Sequence, residues 1–287
     1  MKKTILILIL IMPFMVKADI NKIFIDSEVD ISGNLIVKEI IETDSNESIT
    51  LDIPYKNIDA KEYKENDIVK DDSIIYNGHN IQINKVGTLD KEYDINSLYK
   101  EELDVKEYKD YTEEDDAGYK KITFNKNSDK NIYYLEYLVL CVSVKHNDSA
   151  ELYYPYFRAS NQNIKEIVIM TRLPYTSKLF EVYAHGKRNI EVSKDTKDPI
   201  VLTKINNLKN KERFSLRILY DKDIFKIAIN DSKKSNIDAI DLIKNIEKEK
   251  QTTTNFLNIY KYLSIPIIIV LIVVFFLLKR KKKWKKH

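Results

Sequence analysis

Two acidic residues stand close together between apolar segments of the sequence. Asp148 and Glu151 lie in the stretch KHNDSAELYY, between the apolar residues of 139–144 and 152–157. Paired carboxyl groups can act as general acid and base, or as ligands of a metal ion. Carboxylates in a strand connection can equally accept backbone N–H bonds and fix a turn. No histidine or third acid stands at a motif spacing from the pair, so the turn role is favoured and no catalytic residue is assigned.

The other residue types that could do chemistry are few. The chain has one cysteine and four scattered histidines, which excludes a multi-cysteine metal site and argues against a histidine-rich one. Cys141 lies in the most apolar stretch, so we expect a buried thiol without a neighbouring cation. His185 precedes Gly186 in a predicted turn and is kept, with Asp148 and Glu151, as a candidate binding residue. Nucleotide-binding and metalloprotease motifs are absent from the sequence, and we expect no cofactor and no metal.

An acidic stretch at 110–116 raises the question of calcium. Asp110 is followed by four consecutive acids at 113–116, and extracellular calcium sites use several such oxygen ligands around a turn. The D-x-D-x-D-G spacing is missing, so a solvated acidic loop is favoured and calcium binding is left open. The surrounding segment 91–118 lacks a strand pattern, and we expect a loop there, or a short helix around 95–105.

Alternating apolar and polar residues predict a series of β-strands between residues 20 and 230. The first two form a hairpin around Ser32-Gly33-Asn34, and Asn77-Gly78 marks the tip of a second. Further strands are predicted at 49–53, 120–124, 132–144, 164–170, 179–184, 200–205, 214–220 and 224–229. Turn residues recur without βαβ alternation, which indicates an antiparallel β-sandwich. Isoleucine at every third position then predicts a helix over 235–251, with Ser235 or Asn236 as its N-cap.

The first 18 residues have the pattern of a signal peptide. Two lysines precede an apolar run over 4–16, and Val16 and Ala18 occupy the positions that signal peptidase reads. We therefore expect cleavage between Ala18 and Asp19, and a retained N-terminal anchor is the alternative.

One uncharged segment near the other end predicts a membrane span. Residues 262–278 carry no charge and would cross about 25 Å of hydrocarbon as a helix. Seven lysines and arginines follow in 279–287, so we expect this basic tail to lie on the cytoplasmic side and to contact lipid rather than nucleic acid. No LPxTG-like sorting motif precedes the span, so the anchor is expected to be permanent. The residues that define it are Pro266, Lys279, Arg280 and Trp284.

The two ends together predict a single-pass type I protein of a bacterial cell membrane, with the bulk of the chain outside. The 287 residues carry 47 basic and 44 acidic side chains, and the basic excess lies at the two ends. Rich use of lysine, isoleucine and asparagine is typical of an AT-rich bacterial genome. The predicted domains are a signal peptide (1–18), an extracellular β-sandwich (19–234), a juxtamembrane helix (235–261), a transmembrane helix (262–278) and a basic cytoplasmic tail (279–287).

Three segments resemble the DUF2207 family of predicted membrane proteins, whose activity is unassigned. They are the hairpin VDISGNLIVKEII, the paired strands around Asp148-x-x-Glu151-Leu152-Tyr153-Tyr154, and the stretch from Leu173-Pro174 to His185-Gly186. The similarity runs in order over about residues 20–230. The sequence departs from the family pattern where Tyr154-Pro155 replaces a tryptophan, and where the chain stops nine residues after the span. The resemblance implies a fold and a topology rather than a function.

Two functions are compatible with these features. The favoured one is a non-enzymatic, membrane-anchored extracellular β-domain that binds a protein or another component of the cell envelope. The alternative is a cell-envelope glycan hydrolase that uses Asp148 and Glu151 as its acids. The surroundings of the two carboxyl groups distinguish the functions, because an open shared pocket favours the enzyme and bonds to turn amides favour the binding module.

Overall fold

The computed structural model is mainly β, which confirms the predicted class. The chain divides into two compact units, Met1–Ile237 and Asp238–His287. The structure describes residues 20–56, 78–100, 103–116, 118–125, 131–158, 162–186, 190–195, 199–209, 212–225 and 233–250.

Fifteen strands lie in the described part of the first unit. They are β1 (Ile20–Val29), β2 (Leu35–Thr43), β3 (Ile49–Pro54), β4 (Ile81–Thr88), β5 (Lys106–Glu107), β6 (Tyr111–Asp116), β7 (Tyr119–Phe124), β8 (Ile132–Val139), β9 (Val144–Lys145), β10 (Ala150–Arg158), β11 (Ile164–Arg172), β12 (Phe180–Gly186), β13 (Ile190–Asp195), β14 (Ile200–Leu208) and β15 (Arg213–Tyr220). A short helix, α1 (Ile95–Lys100), precedes β5, and a 3-10 helix covers Lys222–Ile224. In the second unit, α2 covers 240–250.

These strands form three sheets. The orders are β13-β14-β11-β1-β2-β8-β4-β5 in the eight-stranded sheet, β12-β15-β10-β9 in the four-stranded sheet and β3-β7-β6 in the three-stranded sheet. Neighbours pair antiparallel except β1 and β11, which run parallel, with Ile20 opposite Ile164 and Glu28 opposite Arg172. The prediction of a purely antiparallel arrangement is therefore wrong at this pair. It joins strands that are far apart in the chain, so no local pattern reports its direction.

One apolar core is shared by all three sheets, because alternate residues of each strand point into it. On β10 and β15 the core-facing residues are Leu152, Tyr154, Leu216 and Ile218. The intervening residues Glu151, Tyr153 and Arg217 therefore lie on the opposite face of the four-stranded sheet, and these polar side chains are also buried.

A second, smaller cluster covers the other face of the eight-stranded sheet. Phe24, Ile40 and Tyr134 pack there against residues that flank or belong to α1, including Tyr93 and Leu98. The short helix expected around 95–105 is thus confirmed as α1, and it serves to cover the sheet.

The first hairpin is confirmed, and the acidic side chain of Asp30 holds its turn. The Asp30 carboxylate accepts the backbone N–H groups of Ser32 and Asn34 at 2.7 and 2.9 Å. Gly33 has φ 80°, a conformation that glycine adopts without strain. Residues 71–77, which include the first half of the second predicted hairpin, lie outside the described residues.

Three predicted elements differ in their boundaries. The single strand expected over 132–144 is divided into β8 and β9 by a corner, at which the Leu140 N–H donates to Asn80 O at 3.0 Å. A strand is expected over 224–229, but Ile224 is the last residue of the 3-10 helix. Residues 226–230 lie outside the described residues. The helix expected from Ser235 begins at 240, because the Ser235 N–H donates to Lys145 O at 2.8 Å beside β9.

Candidate functional site

Asp148 lies where the sequence predicts it, in the turn between β9 and β10. The turn is closed by a hydrogen bond of 2.9 Å from the His146 N–H to Ser149 O. The Asp148 carboxylate accepts the Ser149 hydroxyl at 3.0 Å, and the side chain is half-buried. Its surroundings are those of a carboxylate that supports a turn.

Glu151 lies inside β10 rather than in the connection, which corrects the sequence prediction. Its carboxylate is fully buried and lies between two other buried side chains. Glu151 Oε2 is 3.1 Å from His146 Nε2, and Glu151 Oε1 is 3.0 Å from Arg217 Nε. The side chains of all three residues are closed to solvent. Glu151 is therefore one member of a buried ion pair, and it faces away from the shared apolar core.

Two aromatic rings extend this group, which we call the Glu151 cluster: His146, Glu151, Tyr153, His185 and Arg217. The Arg217 guanidinium lies 4.0 Å from the centre of the Tyr153 ring, and this ring is 5.5 Å from that of His185. The strand register explains the arrangement, because Tyr153 is opposite Arg217 and β12 pairs with the other side of β15. His185 is in β12 and not in a turn, which corrects that prediction.

A carboxylate next to a histidine and an arginine has the components of acid–base chemistry, but the side chains of Glu151, His146 and Arg217 are closed to solvent. A glycosidase places its two carboxyl groups on either side of an open site, about 5 to 9.5 Å apart. Here Glu151 is inaccessible to solvent, and Asp148 and Glu151 contact different partners. The interactions of the Glu151 carboxylate are thus made with its neighbours inside the fold.

A buried carboxyl group that the sequence analysis did not consider lies in the apolar core. Glu39 on β2 accepts a hydrogen bond of 2.7 Å from the Tyr137 hydroxyl on β8. Burial raises the pKa of the Glu39 carboxyl from 4.5 to about 7, although the Tyr137 hydrogen bond lowers it in part. Position 39 falls on the core-facing side of β2 between Val37 and Ile41, and this alternation is the signal that identifies it.

Cys141 is placed differently from the prediction. It stands at the corner after β8 with φ 53°, is partly exposed, and donates its backbone N–H to Asn34 Oδ1 at 2.8 Å. Lys233 is buried and interacts electrostatically with the thiol, so the surroundings of Cys141 include a cation. Burial lowers the pKa of the Lys233 ammonium to about 8.

The acidic stretch forms a strand, β6, rather than a loop. Successive carboxylates of a strand point to opposite faces, so they do not converge on one ion. Lys120 on β7 contacts Glu113 and Asp115 at 3.5 and 3.1 Å, and Lys121 contacts Glu114 at 3.8 Å. Within the described residues no group of three or more acidic, histidine or cysteine side chains could hold a metal ion.

A cleft of about 570 Å³ opens between the edges of two sheets. Its walls come from β4 and β5 of the eight-stranded sheet and from the start of β6, and they include Ile83, Asn84, Val105, Tyr108, Lys109 and Tyr111. The Tyr108 hydroxyl donates to Asn125 O, which fixes one aromatic wall. The cleft combines apolar, aromatic and polar side chains, and it is partly open to solvent. No local sequence pattern marks this cleft, because its walls are separate in the chain.

The residues assigned to signal cleavage and anchoring cannot be placed. Ala18, Asp19, Pro266, Lys279, Arg280 and Trp284 all lie outside the described residues. In the part of the chain that is described, no helix combines the length and the apolar composition needed to cross a membrane. Cleavage, anchoring and topology stay predictions.

No family model and no curated protein matches the chain. Among solved structures it is similar to a candidate protease from Parabacteroides distasonis (TM-score 0.36, 10% identity), which it covers over 40% of that chain and 71% of its own. It is also similar to yeast LTA4 hydrolase in complex with bestatin (TM-score 0.39, 10% identity), over 28% of that chain and 70% of its own. A third similar structure is the yeast delta-COP-I mu-homology domain complexed with a Dsl1 peptide (TM-score 0.19, 12% identity). The similarity covers 76% of that chain and 75% of this one. The chain spans less than half of the first two proteins, and at these scores the similarities support no functional argument.

Proposed function

We propose that the chain is a membrane-anchored, extracytoplasmic β-sandwich domain that works as a binding or assembly module of a bacterial cell envelope. The anchoring part of the proposal rests on the two hydrophobic ends and on the basic residues after 278. The resemblance to DUF2207 proteins is consistent with that topology and stays a prediction.

The cleft between the β4–β5 edge and β6 carries the binding part of the proposal. It is concave, and its volume of about 570 Å³ is of the size that ligand sites have. Two of its walls, Tyr108 and Tyr111, are aromatic, and aromatic residues are enriched at interfaces because they combine a large apolar surface with a polar end. By contrast, Glu151 is closed to solvent, which counts against the glycan hydrolase.

The test is capture of partners by the full-length chain from intact membranes, with and without a blocked cleft. Asn84 and Gln82 are both exposed on β4, but only Asn84 is among the residues that line the cleft. Asn84→Trp should fill the cleft and remove the captured partners, and Gln82→Trp is the matched control that should leave them. Equal capture by both variants would reject the cleft as the binding site.

The topology has a separate test. Protease added to intact protoplasts should degrade residues 19–261, because the proposal places them outside the membrane. Survival of that segment in intact protoplasts, with digestion only after lysis, would reject the extracytoplasmic location.

A further inference from the structure

The outer edge of β6 presents backbone groups that pair with no other strand of the described residues. The Asn125 N–H donates to Asp110 O at 3.0 Å, and this bond sets the phase of the β6–β7 ladder. Counting along the antiparallel register, Thr112, Glu114 and Asp116 bond to β7, whereas Tyr111, Glu113 and Asp115 direct their N–H and C=O groups away from it. Among the described residues β7 is the strand that pairs with β6, so these outward groups form an open edge.

A second observation supports this phase. On the far side of β7, the Tyr55 N–H donates to Gly118 O at 3.1 Å, and Pro54, which has no N–H, stands opposite Tyr119. Tyr119 must therefore direct its own backbone groups toward β6, where it pairs with Asp116. The hydrogen bonds on both sides of β7 therefore lead to the same assignment of the outward-facing backbone groups of β6.

The β6 edge is regular, and its exposed residues are mostly acidic. Its residues 112–116 are exposed, and the β6–β7 register has no irregularity. The β4 edge, by contrast, carries a bulge between Ile83 and Lys85, a common device against strand addition. Among the described residues, Lys120 contacts Glu113 and Asp115 and Lys121 contacts Glu114, so two lysines share these three carboxylates and the balance of charge there is negative.

These features indicate the kind of partner that fits the β6 edge. A second copy of the chain would bring the same acidic strand, and like charges directly opposite one another are destabilising. Glu113 and Asp115 lie on one face of the sheet, and Glu114 and Asp116 lie on the other. A neighbouring strand places its side chains about 5 Å from those of β6, so lysine or arginine on either face would meet a carboxylate.

We propose that the β6 edge binds an extended, lysine- or arginine-rich segment of another protein as an added fourth strand of the three-stranded sheet. The proposal rests on the proposed binding function, for which it names a class of partner. Backbone hydrogen bonds to Tyr111, Glu113 and Asp115 supply the affinity, and the carboxylates select a basic segment.

The experiment uses the full-length chain in detergent and a fluorescent peptide in which lysine alternates with threonine. Asp115→Pro removes one outward N–H and leaves the β6–β7 bonds in place, so it should weaken peptide binding about tenfold. Asp115→Asn keeps the backbone and should weaken binding about twofold, through charge alone. Glu47→Gln removes an exposed acid outside β6 and should leave binding unchanged. Unchanged binding by Asp115→Pro would overturn the proposal.

Two modified peptides test the same geometry without altering the protein. An added strand directs every second N–H toward β6, so N-methylation of the lysines and N-methylation of the threonines should have opposite outcomes. One peptide should bind like the parent and the other should bind at least about tenfold more weakly. Equal behaviour of the two peptides would mean attraction by charge without strand addition. Neither result depends on the Asn84 variant, so the cleft and the edge can fail separately.

Discussion

Replacing Glu151 by glutamine should unfold the domain more readily, and this effect separates a structural from a catalytic role. The substitution keeps the shape of the side chain and removes its charge. That charge lies 3.0 Å from Arg217 Nε, and both side chains are closed to solvent. Removing one partner of a buried ion pair typically costs about 3–5 kcal/mol, because the other charge stays desolvated.

The expected effect is large relative to the stability of the domain. Domains are typically stable by about 5–15 kcal/mol, and in one of this size 1 kcal/mol shifts the melting temperature by about 2–4 °C. The Glu151→Gln variant should therefore melt about 10 °C below the parent in a circular dichroism scan of the full-length chain. A bond that merely supported a turn would give about 1 kcal/mol.

Two further variants complete the measurement. Asp148→Asn changes the half-buried acid of the adjacent turn and should cost no more than about 1 kcal/mol. The double variant Glu151→Leu with Arg217→Met replaces both charges by apolar groups and should regain much of the loss, as buried pairs elsewhere do. A double variant that is less stable than the Glu151→Gln variant would contradict the assignment of the pair.

The same proteins test the enzymatic alternative. Each is assayed for hydrolysis of cell-wall glycan, and we expect no turnover by the parent. A parent that hydrolyses glycan, together with a Glu151→Gln variant that melts normally and has lost the activity, would refute the reasoning. An amide can neither donate nor accept the proton of such a reaction, so this combination would make Glu151 catalytic.

Three other outcomes follow from the structure. Glu39 binds a proton below about pH 7 in the folded state but only below about 4.5 when unfolded, so the parent should lose about 3 kcal/mol of stability as the pH rises between those values. Glu39→Gln should remove this loss in urea titrations at pH 5 and pH 8, and an unchanged pH dependence would contradict the assignment. Gly186→Ala should lower the free energy of unfolding by more than about 1 kcal/mol and thereby lower the urea midpoint, because Gly186 has φ 121° and an added Cβ would overlap Arg213 O. An unaltered midpoint would show that the strand shifts freely there. A fragment of residues 19–237 should melt above one of 19–234, because the longer fragment keeps the bonds from Ser235 N to Lys145 O and from Asn147 N to Ile237 O. Equal melting temperatures would mean that these residues do not stabilise the first unit.

Local patterns in the sequence were sufficient for most strands and for the first hairpin. The alternation of Ile23 and Ile25 with polar neighbours, and the turn at Gly33, depend on residues that are adjacent in the chain. The same reasoning failed at Cys141, where apolar residues continue through a corner that is set by hydrogen bonds to Asn34 and Asn80. Periodicity does not report such non-local contacts.

The pairing of Glu151 with Arg217 could not be predicted from the sequence, although each of the two residues is conspicuous in its own segment. Arg217 is a single charge in the apolar strand FSLRILY, and Glu151 stands beside Leu152 and Tyr153. Opposite charges inside apolar strands indicate a buried pair, since an unpaired buried charge is too costly. Which strands become neighbours is decided by the sheet order, and β10 pairs with β15 although four strands, β11 to β14, stand between them in the chain.

Environment assigns different roles to the carboxylates of this chain. Glu151 is desolvated and held by Arg217 and His146, so its interactions are already made within the fold. Glu39 is also desolvated, but it faces a hydroxyl instead of a cation, so its pKa rises and it becomes sensitive to pH. The acids of β6 are exposed to solvent, and among the described residues two lysines share Glu113, Glu114 and Asp115, so part of the charge of these three acids is available to a partner. Because net attraction to a partner requires charge that the fold has not neutralised, the binding role that we propose fits the exposed β6 edge better than the acid pair that first suggested chemistry.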